Sequence, residues 1–369
     1  MSVGTLASFL RPTLSPTLVW PMPSERIEEK WIAAFARVLE LSQLKYGETV
    51  AILSETQSRV LNVRLAELAA LRLGGRAFHL VLPTPRQGAK VPVRSTGASD
   101  AVQRLAPVVS ALAGSALIMD LTVEGMLHAP ELPEILGGGA RLIMVSNEHP
   151  DALERLLPDP ALEAKVKLGM KKLRGAKIMR VTSAAGSDLR IRTEGAPVGG
   201  VWGYAAKPGQ VAHWPGGLCL CFPKAGTVNG TLVLAPGDAN LTFKRYVERP
   251  ITLRIAEDYV IAIEGDGLDA ELMRSYIAAW EERDAYAVSH VGWGMNKAAR
   301  WEALAFYDKR DTNGTELRAF AGNFLYSTGA NETAGRHTLG HFDLPMRNCT
   351  IALDGEPIVE AGMLLGDLA

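Results

Sequence analysis

This 369-residue sequence predicts a mixed α/β fold in two parts. An N-terminal three-layer α/β domain with a mainly parallel sheet is expected over residues 1–165, and a β-rich α+β domain over 166–369. Two observations carry the reading. Through the first half, apolar strand-like runs alternate with helix-length amphipathic segments, the pattern of a sheet covered on both faces. From about Lys177 this gives way to short strand-like runs punctuated by Gly, Pro, Asn and Asp, as in a β-rich domain.

Taken in order, Ser24 is a candidate cap for a helix whose Ile27, Trp31, Phe35 and Val38 recur on one face, with Glu25 and Glu28 in the first turn, where negative charge suits the dipole. Thr49 to Leu53 reads as a buried strand, Val60 to Leu73 as a helix stopped by Gly74-Gly75, and Arg76 to Leu82 as a strand. A helix over Ala101 to Leu112, strands over Ala116 to Leu121 and Ala140 to Val145, and a helix from near Asp151 complete the first half. Strands are then expected at Lys177 to Thr182, Asp188 to Thr193, Gly230 to Leu234, Ile251 to Ile255 and Tyr259 to Glu264, followed by one long helix, Leu268 to Tyr286. No Gly-x-Gly-x-x-Gly follows a strand, so a dinucleotide site is unsupported.

Composition narrows the function classes. Thirty-nine basic against 40 acidic residues give no overall charge to draw the chain to nucleic acid or a membrane surface. The basic run Lys165 to Arg174 reads as a solvated helix face. No apolar run approaches the ~20 residues of a membrane span. Met1 to Trp20 lacks a basic start and an unbroken apolar core and reads as an ordered or wrapping arm, not a secretory peptide. Cys219, Cys221 and Cys349 are too few and too oddly spaced for a disulfide framework. A cytoplasmic enzyme acting on a small molecule, assembled as a homo-oligomer, is the expectation.

The chemistry concentrates in Gly340-His341-Phe342-Asp343-Leu344-Pro345-Met346-Arg347 and in Ser289-His290-Val291-Gly292-Trp293-Gly294 upstream. Residues i and i+2 of a strand share a face, so His341 and Asp343 can reach one ion while Phe342 points into apolar packing. His290 is the best-placed second imidazole, and Gly292 and Gly294 suit a turn wrapped around a site. Two imidazoles and one carboxylate are the donor set of mononuclear non-haem iron(II), Fe(2+), which leaves positions open for substrate and oxygen. From spacing alone, the His-x-Asp pair reads equally as a mutual hydrogen bond.

These segments, with Phe324-Leu325-Tyr326-Ser327-Thr328-Gly329 between them, resemble the 2,5-dihydroxypyridine 5,6-dioxygenase family, itself related to aminopeptidase T-like metallopeptidases. The resemblance implies an iron(II) ring-opening dioxygenase of nicotinate degradation that takes a small aromatic substrate and O2 and releases N-formylmaleamate. It needs no organic cofactor, since the substrate supplies the electrons. In the peptidases the segment resembling His290 to Gly294 carries a glutamate in place of His290, and the segment resembling Gly322 to Gly329 carries a metal-binding histidine in place of Leu325. The resemblance thus implies a shortage of ligands for a cocatalytic second ion, and a metal-dependent aminopeptidase is the alternative reading.

Proton transfer needs a further, non-ligating histidine with a pKa near neutrality. His128, just after the strand Ala116 to Leu121, is the first choice, because ligands of open α/β sheets sit beyond the carboxyl ends of strands. His213, read as lying in a loop with the Pro and Gly residues that follow it, is the second. Leu127, Arg318 and Ser327 are the expected substrate-binding residues, Ser327 as an auxiliary group near the metal and Arg318 through its planar fork. His79 is expected in the core, His149 in a surface turn, and His337 in a polar loop as the substitute ligand should His290 fail. Glu332 is expected to be solvated.

Overall fold

The computed structural model describes residues 26–86 and 100–369. Its first sheet has five parallel strands in the order Arg76–Leu82, Thr49–Glu55, Leu117–Asp120, Arg141–Met144 and Val211–His213. Val50, Ala51, Ile52 and Leu53 are all fully buried, the mark of a strand covered on both faces. Val50 and Ile52 join Phe35, Leu39 and Leu65 in one core, whereas Ala51 and Leu53 join Leu112 and Ile135 in another. The period of two along a strand thus builds the three expected layers.

Helix boundaries move where local chemistry overrides periodicity. Ser24, Glu25 and Met1 to Trp20 lie outside the described residues. The first helix runs Glu29–Leu41 with Glu28 at its N-cap position, and Ile27 precedes it and is exposed. The helix expected from Ala101 begins at Ala106, because Gln103 and Arg104 have positive φ and Pro107 favours the first helical turn. The expected Leu268 to Tyr286 helix stops at Ala278 and resumes as a 3-10 turn, Arg283–Tyr286, after Glu281 adopts φ 55°. His79, expected in the core, is exposed on the edge strand Arg76–Leu82, 3.4 Å from Glu67.

The second sheet is antiparallel. Its eight strands run Tyr259–Glu264, Ile251–Ala256, Val228–Leu234, Asp188–Arg192, Ile178–Ser183, Cys349–Leu353, Glu356–Glu360 and Met363–Leu364. Alternating burial along Asp188–Arg192 shows one face on the core and one in solvent. A third, five-stranded antiparallel sheet, Phe342–Met346, Phe324–Thr328, Val288–Gly294, Leu218–Cys221 and Val198–Val201, carries the metal candidates. Its three strands 288–294, 324–328 and 342–346 are buried throughout. Helix Pro160–Gly175 lies against this sheet through Val166 and Gly169, and Lys167, Lys171 and Arg174 face solvent as expected. We propose the division of the chain near residues 165 and 166, inside that helix, with Val211–His213 reaching back to complete the first sheet.

Gly292 lies in a strand and not in a turn, and its need is close approach. A Cβ there would stand 2.1 Å from the Cys219 carbonyl oxygen and 2.8 Å from the Leu220 Cα of the neighbouring strand. Backbone cannot yield as a flexible side chain can. Gly292→Ala is therefore expected to destabilise the fold by about 3 kcal/mol, the upper range for overpacking, read as a lower denaturant midpoint.

Candidate functional site

Strand register assembles the site. Ser327 and Asp343 are direct cross-strand partners, so their side chains leave the sheet on one face. Phe342 points the other way, into Phe243 and Tyr276. The pairing of Val288–Gly294 with Phe324–Thr328 shifts register between Val288 and Val291, an irregularity of the kind that re-aims side chains, and His290 sits within it.

His341 Nε2 lies 3.2 Å and His290 Nε2 3.7 Å from the two Asp343 carboxylate oxygens. The hydroxyl of Ser289 donates to the Ala330 carbonyl (2.5 Å) and so accepts from His290 Nδ1 at 3.1 Å. That fixes the proton on Nδ1 and turns the Nε2 lone pair towards Asp343 and Ser327. Ser327 Oγ lies 3.0 Å from that Nε2 and also donates to Asp343 Oδ1. One hydroxyl proton cannot serve both acceptors, which leaves a lone pair turned towards the cluster.

Charge is arranged to match. Burial alone would push the Asp343 carboxyl up, but Arg318, whose Nε donates to Oδ2 at 2.6 Å, and His341 hold it well below the usual range. Burial lowers His290 to about 4, only partly opposed by Asp343. The site therefore presents an ionised carboxylate and a neutral imidazole, the forms that bind a metal. Among the described residues no group of three or more His, Cys, Asp or Glu side chains is gathered as a ready metal cage, and the Asp343 oxygens are engaged by Arg318 and Ser327. The donor chemistry nonetheless fits iron(II): two imidazoles and a carboxylate, all buried, on one wall of a cavity.

That cavity has a volume of about 200 Å³ and lies between the C-terminal ends of the parallel strands and the third sheet. Leu127, His128, His213, His290, Arg318, His341 and Asp343 all line it, and Ser327 reaches it through His290 and Asp343. His128 follows the strand Leu117–Asp120, with its ring centre 6.1 Å from that of His290 and 5.7 Å from that of His341. Burial and repulsion from His341 and His290 hold it well below 6.5, so the near-neutral pKa expected from sequence is corrected towards acid. Its Nε2 has no hydrogen-bond partner among the described residues. His213 ends a strand instead of lying in a loop, and burial, then Arg318, lowers it to about 4. Arg318 sits in the short helix Thr315–Ala319 and is held by Asn313 Oδ1 at 2.9 Å. His149 caps the helix Pro150–Arg155. His337 and Glu332 are exposed and lie off this cavity. Sequence reasoning missed Glu124, Phe222 and Asn313, which also line it. Asn313-Gly314 was legible as a turn signal, whereas Phe222 gave none.

Similarity to known proteins agrees with this geometry. A family model described as 2,5-dihydroxypyridine 5,6-dioxygenase matches residues 30–366. The chain belongs to this dioxygenase family. A 2,5-dihydroxypyridine 5,6-dioxygenase of Pseudomonas putida is 36% identical over 333 residues, 89% of this chain and 94% of that protein. The solved structure of 2,5-dihydroxypyridine dioxygenase from Pseudomonas putida KT2440 superposes with a TM-score of 0.86 at 34% identity, covering 91% of this chain and 97% of that one. Family membership makes the chain an oxidoreductase. AmpT from Thermus thermophilus shares the fold, with a TM-score of 0.63 at 14% identity over 91% of this chain and 99% of that one. Among the described residues no helix is long and apolar enough to cross a membrane.

Proposed function

We propose that this chain opens the ring of 2,5-dihydroxypyridine with O2 to give N-formylmaleamate, as a cytoplasmic homo-oligomer in nicotinate or pyridine catabolism. His290, His341 and Asp343 are the iron(II) ligands in this reading. The observation that carries it is the meeting of those three groups on the wall of one buried cavity in a chain of this dioxygenase family. Iron(II), when bound, supplies a Lewis-acidic centre with open positions for substrate and O2.

The chain's own residues do the rest. His128 is neutral, so its imidazole can take the proton of a ring hydroxyl and later return it. His213 is the second candidate for that transfer. Arg318 holds the Asp343 carboxylate in place and ionised, and Ser327 fixes the opposite oxygen. Leu127, with Leu218, Leu220 and Phe222, gives the ring an apolar bed and excludes water.

Protein loaded with iron(II) under anaerobic conditions is expected to hold about one iron per chain and to consume O2 when 2,5-dihydroxypyridine is added. A ferrous chelator should remove the activity. Two tightly bound zinc ions per chain with hydrolysis of an amino-acid p-nitroanilide would sink the proposal.

A further inference from the structure

Glu124 has no part in the scheme above. It is a buried carboxylate on the cavity wall, close to apolar side chains against which an ionised group is costly. Its position is set by a stiff turn. Asp120 Oδ1 accepts from Thr122 N (3.1 Å) and Thr122 Oγ1 (2.7 Å), and Gly125 N donates to Thr122 Oγ1 at 3.1 Å. The neighbouring Val123 is held on both sides: its N–H donates to Glu55 Oε1 at 2.7 Å, and its carbonyl accepts from Asn313 Nδ2 at 3.2 Å. Gly125 closes the turn at φ +78°, where a Cβ would stand 2.1 Å from Met144 Cε.

Asn313 also joins this turn to the metal side of the cavity, because its Oδ1 accepts from Arg318 Nη1 at 2.9 Å, and Arg318 Nε holds Asp343 at 2.6 Å. The backbone turn that carries Glu124 is thus tied to the Asp343 side of the cavity by a continuous chain of hydrogen bonds. One cation is near: burial pushes the half-buried Lys244 down, and Glu148 and Glu124 oppose that shift. A carboxylate so placed can only accept hydrogen bonds.

The substrate proposed above has one donor that a benzene ring lacks. In its lactam tautomer, 2,5-dihydroxypyridine carries N–H beside the carbon that is to be cleaved, where 1,4-dihydroxybenzene presents C–H. We propose that Glu124 accepts this ring N–H and thereby selects the pyridine over the benzene analogue, while orienting the adjacent C–C bond towards the site. The inference rests on the functional reading above and deepens it. Its physical basis is that a ring C–H cannot give a carboxylate the hydrogen bond that a ring N–H gives, so a site built to accept from that N–H discriminates against the near-isosteric ring that lacks it.

The test is equilibrium titration of anaerobic, iron-loaded protein with 2,5-dihydroxypyridine and, separately, with 1,4-dihydroxybenzene. The wild-type protein is expected to prefer the pyridine. Glu124→Leu should weaken 2,5-dihydroxypyridine by about 10–100-fold, the scale of one hydrogen bond to a charged group, with 1,4-dihydroxybenzene unchanged or tighter. Glu124→Gln keeps an acceptor, should lose less, and gives the same comparison if the leucine variant fails to fold. Equal weakening of both ligands, or an unchanged preference, overturns the role of Glu124, because a merely structural residue would affect both rings alike. Wild-type protein that neither binds nor consumes 2,5-dihydroxypyridine overturns the underlying functional reading instead.

Discussion

Asp343→Asn protein is expected to fold, keep its cavity and lose both iron and ring cleavage. Asparagine preserves the shape, and its Oδ1 can still accept from Arg318 Nε, which lies 2.6 Å from the native carboxylate. Alanine would be a poorer test, since it strands the buried guanidinium without its partner at a cost of about 3–5 kcal/mol. The lost charge is the quantity under study. Loss of iron affinity should exceed the roughly 10–100-fold typical of removing an outer-shell partner, because an anionic donor itself is gone. His290→Ala and His341→Ala should behave alike, with iron content measured after desalting and the fold by circular dichroism. Full iron and full rate in Asp343→Asn would remove the carboxylate from the ligand set. Should His290→Ala alone retain iron, the substitute is His128, with its ring centre 5.7 Å from that of His341, and not the exposed His337 favoured by sequence proximity.

Much of this site was legible because strand geometry is periodic. His341 and Asp343 share a face for the reason their spacing implied, and Phe342 is buried against Tyr276 on the other side. The element order of the first half was legible too, since strands buried on both faces leave apolar runs such as Val50 to Leu53. Three things were not. Val211–His213 is a three-residue strand that joins the first sheet from far along the chain, and no period can be read over three residues. The pairing of Arg318 with Asp343 spans 25 positions and arises only when helix Thr315–Ala319 docks. That docking depends on the first half, through Glu148 accepting from Thr315 N at 2.7 Å and Arg155 pairing with Glu316 at 2.6 Å. Titration was misjudged for His128 because desolvation by residues distant in sequence outweighs the intrinsic value.

His128→Ala separates proton transfer from ligation, and its effect on function is expected in rate and not in iron or substrate binding. The variant should bind about one iron and bind 2,5-dihydroxypyridine anaerobically, yet turn over ~10²–10⁴-fold more slowly, the scale for losing a positioned acid or base. The pH profile gives the second readout. Burial beside His341 and His290 lowers the His128 pKa well below 6.5, so the imidazole is a neutral base at and above neutrality. Rate should fall only as pH drops through that lowered value, and His128→Ala should lose this acid limb. Stability follows the same sign. Below about pH 6.5 the unfolded chain takes up a proton that the folded His128 refuses, so folding weakens as pH falls from 6.5 towards the lowered pKa; the alanine variant should show less of this acid sensitivity. His213→Ala is the comparison, since His213 lines the same cavity and is lowered to about 4. The variant with full iron, intact substrate binding and a missing acid limb identifies the proton carrier. Unchanged rate and profile in both would leave neither imidazole with a proton to move.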